Sequence, residues 1–528
     1  MGVLSVEPTP AGPEVATGVA ASRRRFAILV ALFVAEAAGF LAVTYPGLNS
    51  FTDFCFADFG ADLCSFELMR RGRVPVVDFG YIYGLIPLVL GDYWYRLTGL
   101  GPTGWKLWCA ATTIALVVSS CRYARRVEAG PAGWALMALA LPILLSRKAV
   151  VFAKGIEPLL LIASLTALVG GRRGAALCWA MACVFVKSGL SACWAAALGA
   201  LIVAREWRRP SRLARELAPA AGLGVALFAA TAWRFGPLAA TRSIVPLDGA
   251  RVYAENHFGF FRGIGRNFWA PPGARWTYYL GTPAGSWLAA SAVLVVGGVL
   301  AARRLWLGRT SHAGRDEAVV LCAIAHTTFV TMMYGNAWSW GHYGYILILG
   351  VVAASTAGRL ATAATIALAA LSIPADAGFL RHAANLWRRT APSPATYGLH
   401  ASDRERSDWA EIRRRIDGES AALLAVSDGA AVIDRRFAPP CVFYLDHAEA
   451  RPAEVEDKLQ QLRACSMVVC WTPVLLSYMV PPERFPEFAP ALADFEVVLD
   501  RPPFRLYRRV RGAAGRPSSP PSAVARAP

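Results

Sequence analysis

Eleven apolar runs, separated by short clusters of arginine, constrain this chain more than any other feature. They lie near residues 26–44, 105–121, 132–145, 156–170, 174–187, 190–203, 217–235, 284–302, 318–334, 343–357 and 360–374. A helix needs about 20 apolar residues to cross a bilayer's hydrocarbon core, so the shorter runs must extend into their flanks. Only 17% of the residues are charged, against about a quarter in soluble domains. The expected fold is therefore mainly α, a polytopic membrane helix bundle of about 11 spans. The net charge of +18 is no argument for nucleic acid. Its arginines sit between apolar runs, and no basic face or known nucleic-acid module accompanies them.

The same clusters set the orientation, because cytoplasmic loops concentrate Lys and Arg. Residues 1–25 form a polar tail ending in Arg23, Arg24 and Arg25. The run that follows is too long for a cleaved signal segment and no small-residue cleavage site ends it, so the N-terminus is expected in the cytoplasm. The stretch "YIYGLIPLVLGDYWYRLTGL" at 81–100 then decides the parity. If it crosses, the clusters at 122–126, 170–174, 205–215 and 303–309 all face outward. If it lies in the interface, all four are cytoplasmic, as the charge bias demands. The second option gives a multi-pass protein of the cytoplasmic (inner) membrane with a transmembrane domain over 26–374. Outside lie a first loop at 45–104, a second large loop at 236–283, a short loop at 335–342, and everything after about 375. Arg147, Lys148, Lys154 and Lys187 break the rule by falling at outer ends of spans. There they either snorkel to lipid headgroups or face an anionic ligand.

Residues 375–510 change character and read as an extracytoplasmic α/β domain. "ESAALLAVSDGAAVIDRRF" and "CSMVVCWTP" carry short strands, "PAEVEDKLQQLRA" an amphipathic helix, and "FEVVLDRPPFRLYRR" a closing hairpin. The Pro- and Ser-rich end, 511–528, is expected to be a disordered tail. Of eleven cysteines, many lie inside apolar runs as small hydrophobes. Cys55 with Cys64, or Cys465 with Cys470, are the pairs an oxidising compartment would allow to form disulfides.

The loop after the first span is the richest in chemistry. It holds Asp53, Asp58, Asp62, Glu67 and Asp78, with Arg70, Arg71 and Arg73. "ADLCSFELMRRG" reads as a short helix closed by Gly72, with Leu63, Phe66 and Met69 toward the membrane. Asp53 and Asp58 stand among Phe51, Phe54, Phe56 and Phe59. The phenylalanines are expected to seal the loop against the bilayer and leave a carboxylate poorly hydrated, which favours a general base. Asp62 is expected at the surface of the following helix.

Residues 58–99, "DFGADLCSFELMRRGRVPVVDFGYIYGLIPLVLGDYWYRLTG", resemble the first-loop signature of GT-C fold glycosyltransferases. These are polyprenyl-phosphate-sugar-dependent enzymes of the protein mannosyltransferase and aminoarabinose transferase kind. Asp58 matches the first acid of the signature, Gly72 its helix-ending glycine, "PVVDF" at 75–79 its second element, and Gly84 to Pro87 its third. Phe59 stands where a second acid is usual, so a divalent metal is an open question, with Asp53 or Asp62 as its alternative ligands.

The resemblance implies a GT-C-like bundle and an inverting transfer of a sugar from a polyprenyl-phosphate donor to a lipid, polysaccharide or protein acceptor. Asp58 is the expected base, with Asp53 as its helper. The leaving phosphate needs cations, and the second outer loop supplies Arg251, His257, Arg262 and Arg266, joined by Lys154. Asp78 and His342 are further candidates, His342 sitting in an aromatic belt. Glu36 and His326 lie within spans and are expected to face the bundle interior. Membrane lipids are the other expected partners.

Two other classes remain open. A lipid-linked glycan ligase or polymerase would use Arg262 and His257 but not Asp58. A lipid-linked sugar transporter or flippase would carry charges on both sides of the midplane, whereas here they gather on one face, and no internal repeat is evident.

Overall fold

The computed structural model describes residues 13–99, 101–148, 152–245, 283–331, 337–356, 358–442, 452–472 and 487–510. Eleven bundle helices cover the eleven apolar runs: α1 (Pro13–Leu48), α5 (Pro102–Arg126), α6 (Pro131–Lys148), α7 (Phe152–Val169), α8 (Arg173–Val184), α9 (Ser188–Glu206), α10 (Pro210–Phe235), α12 (Pro283–Trp306), α13 (Ala313–Ala325), α14 (Ala337–Ser355) and α15 (Arg359–Arg389). A π-helical turn, His326–Thr331, continues α13. Among the described residues, five helices are long and apolar enough to cross a membrane: Arg24–Gly47, Pro102–Arg126, Ser188–Glu206, Pro210–Phe235 and Leu288–Trp306. The first helix begins at Pro13, inside the expected tail, and the last runs on to Arg389, past the expected boundary at 374.

Alternation of the helices gathers the arginine clusters at one end. Arg173 of α8 and Arg205 of α9 both bind the buried Glu317 of α13, at 2.7 and 3.1 Å. Arg304 near the end of α12 pairs with Asp316. Arg315 donates to the Val127 carbonyl (3.4 Å) and to Thr356 (2.6 Å), tying the ends of α5 and α14 to α13. Two expectations about intramembrane polar groups divide. His326 has a partner, Ser291 Oγ at 2.8 Å. Glu36, by contrast, is exposed, because α1 turns its Ala37 side to the bundle.

Among the described residues, the opposite end carries the remaining elements. Between α1 and α5 lie α2 (Phe51–Phe56), α3 (Asp58–Arg70) and α4 (Leu85–Thr98). At 14 residues, α4 is about 21 Å long and too short to cross. A further short helix, α11 (Pro237–Ile244), follows α10. After α15 the chain forms β1 (Thr390–Pro392), β2 (His400–Ser402), α16 (Asp403–Arg415), β3 (Ala421–Leu424), α17 (Gly429–Ile433), α18 (Pro452–Ala464), β4 (Met467–Trp471), α19 (Ala489–Leu492), β5 (Phe495–Arg501) and β6 (Phe504–Arg509). Ser402 starts α16 with a reciprocal capping pair, its side chain accepting from Glu405 N–H while Glu405 accepts from Ser402 N–H.

The main sheet has the order β3-β4-β6-β5, with β3 and β4 parallel and the rest antiparallel. Residues alternate between its faces. Ala421, Leu423, Met467 and Val469 look toward the first loop, while Ala422, Leu424, Val468 and Cys470 look toward Leu462 and Phe488. Burial on both faces explains why the two strands read as unbroken apolar runs. All eleven cysteines are free thiols, including the two pairs singled out as potential disulfides. Cys55 and Cys64 are instead separately packed in the loop's core.

Candidate functional site

The first loop is built as a rigid shelf. Ser50 caps α2 by accepting from Asp53 N–H at 3.4 Å. One residue, Ala57, separates α2 from α3. Gly72, at φ +82°, then ends α3 in the left-handed conformation that favours glycine. A tight turn follows, in which the Asp78 carboxylate accepts from Val74 N–H (2.7 Å) and Val76 N–H donates to Phe79 O (2.9 Å). The chain next passes Gly84, whose N–H donates to Val186 O at 2.9 Å. A Cβ at Gly84 would lie 1.9 Å from Phe185 O, so only glycine lets the loop settle here, between the ends of α8 and α9.

Phe51, Phe54 and Phe56 do not face the bilayer as expected, and the Phe59 side chain lies outside the described residues. Phe51 and Phe56 meet Trp409 edge-on at 5.3 and 5.2 Å, Phe56 stacks on Trp471 at 5.7 Å, and Phe54 meets Trp105 of α5. Loop and C-terminal domain thus share one apolar core. The reason lies in α16 and the sheet, whose large aromatics offer a tighter partner than lipid chains. Leu63 and Phe66 join the same core in place of the membrane contact expected for them. Phe66 closes against Tyr95 at 5.2 Å and over Gly91.

The candidate residues fall at different depths. Asp58 is the first residue of α3, and its side chain lies outside the described residues. Asp53 is exposed on α2. Asp62, expected at the surface, is buried one turn beyond Asp58. Burial first and the Asp62 charge second push the hydroxyls of Tyr81 and Tyr95 well above the ordinary tyrosine range. The physical reason is that α3 is covered all round: every residue from Gly60 to Phe66 is buried, so this stretch of the helix has no surface side for Asp62 to occupy. Asp78 is committed to its turn.

Lys154 is half-buried on α7, and one turn later comes a residue that sequence reading passed over, Glu157. Glu157 is fully buried and holds Lys187, the residue preceding α9, at 3.4 Å. A lone glutamate at the start of an apolar run gave no signal. Only the fold brings Lys187 to it, next to the Val186 carbonyl that receives Gly84. Lys154 and Lys187 therefore stand on the end of the bundle that the first loop covers.

Arg251, His257, Arg262 and Arg266 lie outside the described residues, as does most of the loop expected at 236–283. His342 falls in the second turn of α14, its side chain also outside them. Among the described residues no group of three His, Cys, Asp or Glu side chains is placed to hold a metal.

What the arrangement offers chemically is a loop held on two supports, its α2–α3 stretch on the apolar C-terminal domain and its Gly84 segment on helix ends that carry lysines. No family model matches the chain, and no curated protein matches it. Among solved structures, the crystal structure of ArnT from Cupriavidus metallidurans bound to undecaprenyl phosphate aligns over 92% of this chain and 99% of that one. The identity is 15% and the TM-score 0.41. Agreement at that level carries no weight here, and the functional reading rests on the chain's own residues.

Proposed function

We propose that this protein is a multi-pass membrane glycosyltransferase that moves a sugar from a polyprenyl-phosphate donor to an acceptor on the outer side of the membrane. The acceptor hydroxyl attacks the anomeric carbon, the bond from that carbon to the phosphate oxygen breaks, and Asp58 takes the hydroxyl proton. Attack opposite the leaving group inverts the anomeric centre. The departing polyprenyl phosphate needs cations to stabilise its charge. Lys154, together with Arg251, His257, Arg262 and Arg266 of the second loop, is assigned to that task.

One observation supports this reading above the others: the loop bearing the family-like spacing is anchored at both ends. Its Asp58 helix packs on the C-terminal domain, and its Gly84 segment packs on the helix ends that carry Lys187 and, through Glu157, neighbour Lys154. A solvated linker would need neither anchor. A base and a phosphate site must be held at fixed separation for in-line transfer.

The test offers purified protein in lipid vesicles a panel of labelled donors. Transfer with release of polyprenyl monophosphate is the expected result. Transfer from a polyprenyl-pyrophosphate-linked glycan alone would replace this reading with a ligase or polymerase. Turnover of a nucleotide sugar alone would remove the lipid donor from the account.

A further inference from the structure

Helix α18 reaches the first loop and the sheet with side chains spaced by three and four residues, so they lie along one face. Glu454 accepts a buried hydrogen bond from Gly80 N–H at 2.8 Å, on the segment between the Asp78 turn and Gly84. Asp457 pairs with Arg73, just beyond the end of α3. Lys458 is fully buried. It donates to both oxygens of Asp428 (3.0 and 2.8 Å), to Leu423 O (3.0 Å) and to Gln461 Oε1 (2.9 Å).

Asp428 links this helix to the other half of the loop. It sits between Ser427, whose N–H donates to Phe56 O at 2.9 Å, and Gly429, which lies against Gly60 of α3. The approach is backbone to backbone. A Cβ on Gly429 would stand 2.5 Å from Phe54 O and 3.0 Å from Gly60 Cα. One helix of the C-terminal domain thus holds the loop directly at residues 73 and 80 and, through Asp428, at the α2–α3 junction beside Asp58.

We propose that α18 is the element that fixes the first loop over the bundle, with Glu454 as a positioning residue for the base-bearing helix. Glu454 acts through the loop backbone and touches no substrate. The proposal rests on the transfer function set out above for its kinetic consequence, but not for its structural one.

The structural consequence can be read without turnover. Cys55 of α2 and Cys64 of α3 are buried within the loop, and burial, followed by the charges of Asp434 and Asp428 respectively, pushes their thiols well above the ordinary range. Both are therefore silent toward a maleimide while the loop is seated. Cys470, buried on the far face of the sheet, reports separately on whether the domain itself is folded.

The experiment maps maleimide labelling by peptide mass analysis in the full-length protein, comparing wild type, Glu454→Ala, Glu454→Gln and Gly80→Pro. Gly80→Pro deletes the same hydrogen bond from the loop side and leaves the domain sequence intact. Expected are tenfold or faster labelling of Cys64 in Glu454→Ala and Gly80→Pro, with Cys470 still silent, and near wild-type labelling in Glu454→Gln, which keeps an acceptor oxygen. In the transfer assay the same two variants should lose about tenfold or more in kcat, with donor KM within twofold and Glu454→Gln rescued. Cys64 silent in both variants, or Cys470 labelled in step with it, overturns the clamp. Exposed Cys64 with unchanged kcat in an active enzyme overturns the positioning role. Wild-type protein that transfers nothing overturns the proposed function alone, and the labelling still decides the clamp.

Discussion

Asp58→Asn is expected to lower kcat for sugar transfer by about 10²–10⁴-fold, the range a general base supplies. Expression, thermal stability and binding of the lipid donor should stay close to wild type. Asn keeps the size of the side chain and one acceptor oxygen, so the fold of the α2–α3 junction is expected to be retained. What it loses is the ability to take a proton from the acceptor hydroxyl. Asp53, exposed on the helix before, should show a smaller loss when changed to Asn. Measuring both in one preparation ranks the two acids. Transfer by Asp58→Asn at wild-type rate would contradict the assignment of the base and leave the buried Asp62 as the acid to test.

The second large effect concerns stability. Lys458→Met leaves the Asp428 carboxylate buried beside an apolar chain, and breaking one side of a buried ion pair costs about 3–5 kcal/mol. Burial alone would lower the Lys458 ammonium, but the Asp428 charge, the Cys441 sulfur and the hydrogen bonds to both together outweigh it and hold the group above the ordinary lysine range. The Lys458 ammonium is thus charged throughout the physiological pH range. The double change Lys458→Met with Asp428→Leu should recover much of the loss, because an apolar pair of similar volume removes the stranded charge. Thermal unfolding of the full chain, read by Cys470 labelling, measures both. A loss below about 1 kcal/mol in the single variant would mean that water or a mobile neighbour solvates Asp428, which its surroundings contradict.

The bundle was legible in the sequence because a bilayer imposes length and charge rules on every span. Arg125 and Arg126, Arg172 and Arg173, Arg205, and Arg303 and Arg304 mark the same end of the bundle that the structure gathers. The α3 helix and its Gly72 stop were legible too, since a left-handed terminus leaves a local mark. In the C-terminal domain β3 and β4 were legible as short apolar runs and α18 by its amphipathic spacing, and the β5–β6 hairpin lies in its expected stretch, whereas Gly429–Ile433, in a stretch read as strand, forms α17.

Partner choice was not legible. Phe51, Phe54 and Phe56 have the same pattern whether they face lipid or Trp409, Trp471 and Trp105. Amphipathic spacing records that a side is buried and not what buries it. Glu157 and Lys187 are thirty residues apart, and Glu454 stands far from Gly80, so neither pair leaves a local trace. Asp62 left no sign of its burial, because what covers α3 on every side from Gly60 to Phe66 comes from distant parts of the chain.

The most direct measurement of the central claim is a single-particle structure of the full-length protein in lipid nanodiscs with added polyprenyl phosphate. Phosphate density is expected at the end of the bundle covered by the first loop, within ion-pair reach of Lys154 and facing the start of α3. Headgroup density at the opposite end, among Arg173, Arg205 and Arg304, would contradict it.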